Sequence, residues 1–357
     1  MTALVVLLLG QRSYSQQPPG REGIDPARME RIIEERLFPM KITLEVVDEE
    51  GHSVEGAVAR VGVESMVHPR GVNLFEGVTD EKGRFAVEAR GTGFQWMAVT
   101  KEGYYMSKPD YKWDPLLNSD PAILREKGFR PWNPIIRVEL KRISDPIPLY
   151  VFPFGCAQSD FGVPPAVATD LGYDLFIGDW VSPFGEGEVA DVEMRFLGCY
   201  ESANKNWGKA WLSFPNPGDG MCPLERLEET ASILKFPRKA PVDGYEVTQF
   251  HEERIIDSDG GPPNYGILKE EEEQNRKPGA YFIRIRCKRD EAGKVVSCYY
   301  GKIVTPITMH STHPFSNKPA LTFGYYLNPT PNDRNLEFDQ KHNLMEKCEI
   351  PARNIAP

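Results

Sequence analysis

The apolar positions change period early in the chain. From Asp25 to Leu37, "DPARMERIIEERL", Met29, Ile32, Ile33 and Leu37 recur at helical spacing. Asp25 suits the cap and Pro26 the first helical position, so the pattern predicts a short helix whose stripe packs on the domain that follows. From Met40 onward every second residue is apolar. Ile42, Leu44 and Val46 share one strand face, "DEEG" turns the chain, and Val54, Val58 and Val61 mark the next strand. "GVTDEKGRFAV", Gly77 to Val87, reads as a strand end, a turn at Asp80 to Gly83 and a second strand carrying Phe85 and Val87. It is expected to be a central hairpin, with Gly83 supplying a positive φ. "VESMVHPRGVNLFE" before it reads as a long exposed loop. Trp96 and Ala98 then alternate against Met97 and Val99. Met106 to Pro134 reads as an ordered loop, because Tyr111, Trp113, Phe129 and Trp132 are costly to leave wholly exposed. Alternation returns in Ile135 to Ile143.

Pro146 and Pro148 in "SDPIPLY" predict a stiff, extended boundary. Beyond it the alternation predicts strands in "PLYVF", "GYDLFI", "VADVEMRFLGCYE", "GKAWLSFP", "GYEVTQFHEERIID", "AYFIRIRCKR", "GKVVSCYYGKIV" and "ALTFGYYL". "CPLERLEETASILKF" is a helix candidate, with Leu224, Leu227, Ala231 and Leu234 near one face. In "YFIRIRCKRDEAGKVVSCYYGKI" Tyr281, Ile283, Ile285 and Cys287 alternate with Phe282, Arg284, Arg286 and Lys288. That predicts a hairpin with one buried and one basic face. Pairing Asp290 with Val295 sets Cys287 opposite Cys298. The last 27 residues, 331–357, show little periodicity and are expected to wrap the surface. The fold class is therefore all-β: two β-sandwich domains in tandem, 39–143 and 144–330, with a short N-terminal helix in a leader (16–38) and an irregular C-terminal tail (331–357).

Four spaced pieces of the first part resemble a known module. They are Val46, Asp48 and Gly51; Val54, Gly56, Ala57 and Val58; Gly77, Thr79, Asp80, Gly83 and Phe85; and Val99, Lys101, Gly103 and Tyr104. Together, over about residues 40–105, they resemble the carboxypeptidase regulatory-like domain, a small transthyretin-like β-sandwich. The resemblance implies an accessory unit, a spacer, stabiliser or binding platform, without chemistry of its own.

Composition narrows the partners. With 31 Gly and 31 Pro in 357 residues, the chain suits short elements and many turns. The net charge of −10, with basic residues scattered among acidic ones, argues against nucleic acid and anionic membranes. "ALVVLLLG", Ala3 to Gly10, has the length of a signal-peptide core. Ser13-Tyr14-Ser15 puts small residues where a signal peptidase reads, so residues 1–15 are expected to be an export signal. No run of about 20 apolar residues predicts a transmembrane helix.

Chemistry is harder to find. His52 and Glu55 have an H-x-x-E spacing, and His251-Glu252 begins an H-E-x-x-H motif that Ile255 breaks. His310 and His313 could share a metal but have no evident third ligand. "DSDGG" offers Asp257 and Asp259 as calcium ligands, and calcium is the one cofactor the sequence leaves open. Cys156 lies in a Gly-bounded loop. The six cysteines allow up to three disulfides, and Cys287 with Cys298 is either such a bridge or a pair of buried thiols. Trp207 and Trp211 have the same strand parity, with Tyr200 close in sequence. They form either a core face or an exposed platform for sugar rings. The expectation is an exported, non-enzymatic β protein of the bacterial cell envelope or exterior that binds a glycan or an envelope protein, or serves as a structural module or spacer. The alternative is an extracellular hydrolase with its site in the second domain, around Asp257, Asp259, His251 or His310.

Overall fold

The computed structural model describes residues 35–65, 71–153, 164–224, 227, 230–257, 279–311 and 317–357. The expected export signal, leader and helix lie almost wholly outside them. Residues 35 and 36 form a turn that leads into the first strand. The described chain is mostly β-strand with very little helix.

Five strands and one more after a loop build the first part: β1 (Phe38–Asp48), β2 (Val58–Glu64), β3 (Val72–Val78), β4 (Arg84–Gly91), β5 (Gly93–Thr100) and β6 (Ile135–Leu140). They form two three-stranded sheets, ordered β4-β1-β6 and β3-β2-β5. Alternate residues of both sheets meet in one apolar cluster: Ile42, Leu44 and Val46 from β1, Ala59, Val61 and Val63 from β2, and Met97 and Val99 from β5. The two ends of the stretch expected as an exposed loop before Gly77 are strand, since β2 runs to Glu64 and β3 starts at Val72; residues 66–70 lie outside the described ones. The turn at Asp80 to Gly83 is present, with Gly83 N–H donating to Asp80 O at 2.8 Å and Gly83 at φ +71°. It does not close a hairpin. β3 pairs with β2 while β4 pairs with β1, so the turn carries the chain from one sheet to the other. The ring of Phe85 covers Gly77, where an added Cβ would come within 2.4 Å of it.

The loop at 106–134 is ordered, as its aromatics predicted. Trp113 stacks on Phe129 at 5.3 Å and meets Tyr111 edge-on at 5.1 Å. The loop also holds a short helix, α1 (Pro121–Lys127), which Asp120 caps through Ala122 N–H at 2.8 Å and which has Pro121 in its first turn.

The remaining strands are β7 (Ile147–Phe152), β8 (Asp170–Asp174), β9 (Asp179–Trp180), β10 (Val192–Ser202), β11 (Lys205–Ser213), β12 (Gly220–Leu224), β13 (Gln249–Asp257), β14 (Ala280–Arg289), β15 (Val295–Ile303), β16 (Thr308–His310), β17 (Ala320–Thr322), β18 (Tyr325–Leu327) and β19 (Phe338–Asn343). They form a five-stranded sheet, β13-β11-β10-β8-β9, a six-stranded sheet, β12-β14-β15-β18-β7-β19, and the pair β16-β17. Leu171, Met194, Phe196, Ala210, Leu212 and Phe250 from the five-stranded sheet share a cluster with Ile283, Ile285, Ile303 and Tyr325 from the six-stranded one. The six-stranded sheet is covered on its other face as well, by clusters around Phe282, Tyr300 and Leu336 and around Val151, Tyr326 and Phe338.

Three expectations are corrected here. Cys222 to Leu224 are strand and not helix, because they pair with Phe282 to Ala280; Pro223 is tolerated there because β12 is an edge. The described residues of the run beyond them, 227 and 230–236, are irregular. The second face of β14 is not an open basic one: Arg284 lies over the Tyr245 ring at 4.6 Å, and Arg286 pairs with Asp174 and Asp191, both at 2.7 Å. The tail from 331 does not merely wrap the surface. β19 runs parallel to β7, and Leu336, Phe338, Met345 and Ile355 are buried.

Polar contacts, several of them buried, join the second part of the chain to the first. The Glu337 carboxylate accepts from Tyr105 Oη at 2.9 Å, Ser144 N–H at 2.9 Å and Asp145 N–H at 3.2 Å. Lys141 Nζ donates to Leu234 O at 2.8 Å, and Arg238 forks onto Glu49 at 2.8 and 3.0 Å.

Candidate functional site

The five-stranded sheet has one packed face and one open face, and strand parity decides which residue goes where. On β11 the even positions Asn206, Gly208, Ala210 and Leu212 are buried, while Lys205, Trp207, Lys209, Trp211 and Ser213 face outward. Gly198 and Gly208 pair across β10 and β11 on the packed side. Cβ atoms there would come within 2.5 Å of Pro319 and of Met309, so the two glycines let the chain around β16 and β17 sit directly on the sheet.

On the open side the registers align rows across β10, β11 and β13: Glu193, Ser213 and Gln249; Arg195, Trp211 and His251; Leu197, Lys209 and Glu253; and Cys199, Trp207 and Ile255. The Trp211 indole stacks on the His251 imidazole at 5.0 Å between ring centres and 28° between planes. Around this stack is a hollow of about 460 Å³, lined also by Asp170, Glu193, Arg195 and Gln249. Arg195 Nη1 lies 3.8 Å from Asp170 Oδ1, and Lys209 pairs with Glu253 at 2.9 Å in the next row. Side-chain carboxylates, a guanidinium, an amide, a hydroxyl and an imidazole thus surround an aromatic face that is half-buried. Such a surface can stack an apolar ring face and hydrogen-bond the groups at that ring's edge.

A smaller hollow of about 100 Å³ lies further along the sheet, between Trp207, Cys199, Lys205 and Ile255. Trp207 is 37% exposed. Tyr200 is exposed too, but it pairs with Asn206 at the opposite parity, next to a bulge, and lines neither hollow. The structure therefore sets Trp207 and Trp211 on one open face and leaves Tyr200 off it. The sequence did not point to His251, Asp170, Glu193, Arg195 or Gln249 as partners of Trp211. Outward parity in β10 would have found Glu193 and Arg195; His251 needed the long-range register of β13.

Asp257 ends β13 in register with Lys205, and Asp259, Cys156 and His313 lie outside the described residues. His310 hydrogen-bonds Thr322 Oγ1 at 3.2 Å within the β16-β17 pair. Among the described residues one group, Asp48, Glu50 and His52, brings three ligand-type atoms within 4.8 Å of one another. Its central carboxylate is already committed: Asp48 Oδ1 accepts from Glu50 and His52 N–H at 3.1 and 2.9 Å, and Oδ2 from Arg142 at 3.1 Å. That is the bonding of a turn, with a guanidinium where a cation would need to approach.

Cys287 and Cys298 are unbonded thiols in contact. The predicted register is shifted by one: Arg289, not Asp290, pairs with Val295, and bulges follow. The contact between the two sulfurs holds the Cys298 thiol below its ordinary value, and the same contact with burial pushes Cys287 up.

No family model matches the chain, and no curated protein matches it. Among solved structures it is similar to 3-chlorocatechol 1,2-dioxygenase from Rhodococcus opacus 1CP (14% identity, 30% of this chain and 60% of that one, TM-score 0.22). It is also similar to wild-type catechol 1,2-dioxygenase from Acinetobacter radioresistens (16% identity, 31% and 54%, TM-score 0.23). A third likeness is to BcpA, the major pilin subunit of Bacillus cereus (11% identity, 82% and 96%, TM-score 0.17). The chain spans less than two thirds of the two dioxygenases' own lengths. At these TM-scores none of the three bears on what the chain does.

Proposed function

We propose that the chain is an exported, non-enzymatic binding protein of the bacterial cell envelope or exterior, made of two β-sandwiches, whose open face at Trp211 takes a neutral glycan. The first unit, 39–143, would be an accessory sandwich of the carboxypeptidase regulatory-like kind, and the second, from 144, would carry the site. One observation carries the proposal: the Trp211–His251 stack on an open sheet face, inside a hollow of about 460 Å³ lined by hydrogen-bonding side chains. A pyranose offers an apolar ring face and equatorial hydroxyls, which match that combination. The net charge of −10 favours neutral over acidic polymers. The apolar run at Ala3 to Gly10 supports export.

A glycan and peptidoglycan array tests this. Binding to a neutral polymer that Trp211→Ala weakens tenfold or more supports the proposal; silence on every glycan removes it. The hydrolase alternative has its own observation, since Asp170, Glu193 and His251 line the same hollow. New reducing ends from a bound polymer, lost in Asp170→Asn or Glu193→Gln, would favour it.

A further inference from the structure

We propose that Cys287 and Cys298 are a disulfide-forming pair that staples β14 to β15, independently of what the open face binds. The register places them together. Ile285 pairs with Tyr299 and Lys288 with Ser297, so Arg286 and Cys287 on β14 oppose Cys298 alone on β15. This is a bulge, with two residues against one. Arg286 takes φ +51° there and swings toward Asp174 and Asp191, while Cys287 turns to the opposite face. Asp219 fixes the bulge, its carboxylate accepting from both donors, Arg286 N–H at 2.9 Å and Cys287 N–H at 2.8 Å.

The side chains then meet in an apolar cluster with Phe236, Phe282, Tyr300 and Leu336, where Cys287 is 7% and Cys298 1% exposed. Cys287 also points its thiol at Gly218 O, 3.2 Å away. A thiol–thiol contact of this kind, on adjacent strands and held by an anchored bulge, keeps the two sulfurs at high effective concentration. A disulfide needs them to close to about 2 Å.

The reaction is exchange with a small-molecule disulfide such as oxidised glutathione. Cys298 loses its proton to solvent and, as the thiolate, attacks one sulfur of the reagent, forming a mixed disulfide and releasing the first thiolate, which takes up a proton. Cys287 loses its proton to solvent and attacks the Cys298 sulfur, which releases the second. Two cysteine thiols are oxidised and one disulfide reagent is reduced to two thiols. Since both sulfurs are buried once the cluster closes, exchange takes place in the open hairpin during folding.

The test uses the wild-type chain, refolded in a glutathione redox buffer, alkylated and digested for mass spectrometry. A cross-linked peptide joining Cys287 and Cys298, two mass units lighter than the reduced pair, is expected. Its thermal midpoint should fall on reduction, and that fall should be absent in the Cys287→Ser, Cys298→Ser double variant. Full alkylation of both residues after oxidative refolding, or a cross-link from either to Cys222 or another cysteine, overturns the proposal.

Discussion

Single side chains carry more of this fold than their number suggests. Glu337 is 1% exposed, and its carboxylate serves Tyr105, Ser144 and Asp145 at once, with Arg238 Nε 3.5 Å away. Glu337→Ala strands those donors and leaves a hydroxyl and two amides without an acceptor. The loss should be about 3 kcal/mol, read as a lower urea midpoint at unchanged slope. Gly83 is the second such residue. An alanine there would adopt a left-handed backbone and set its Cβ 2.3 Å from Val46 O. Gly83→Ala should cost about 2–4 kcal/mol, checked by the thermal midpoint. Both the glycine and its positive φ were legible in "TDEKGRF", since turn chemistry is local. Glu337 was not, because its partners lie about 190 to 230 positions away.

At the scale of elements, legibility followed the range of the interaction. The bounds of β14, Ala280 to Arg289, match the alternating run, while β10 ends one residue beyond its run and β11 starts three residues before its own. β12 and β19 were missed because an edge strand is defined by its partner. Cys222 to Leu224 have a helical spacing of leucines around them, yet β14 offers an open ladder and the pairing wins. The turn at Asp80 was recognised and its topology was not, since nothing in a turn sequence says whether the next strand stays in the sheet. Parity on β11 correctly grouped Trp207 with Trp211. That this face is the open one depends on which side the six-stranded sheet covers, which no local pattern records.

For the whole molecule, the doubly covered six-stranded sheet buries a titratable group that sets a pH dependence. Lys302 is fully buried, with Nζ donating to Leu336 O at 3.0 Å and Pro357 O at 3.3 Å, between the rings of Phe236 and Tyr326. Burial brings its ammonium down to about 7. The neutral amine still has two N–H bonds for these two oxygens. An unfolded lysine titrates near 10.4, so between pH 7 and about 10 the unfolded chain holds the extra proton. Folding stability therefore rises across that window, by roughly 1.4 kcal/mol per unit from this group, and the contribution is flat below it. Lys302→Met should remove that slope in urea titrations at pH 7, 8.5 and 10; a slope that persists in the variant would assign it to other groups.

The most direct measurement is calorimetric titration of the best neutral oligosaccharide from the array into wild type, Trp211→Ala and Trp96→Ala, the last a solvent-facing indole on a different sheet. The account predicts saturable binding to wild type and Trp96→Ala, and affinity at least tenfold lower in Trp211→Ala, which still melts in one cooperative transition. Equal affinity in all three proteins would contradict it.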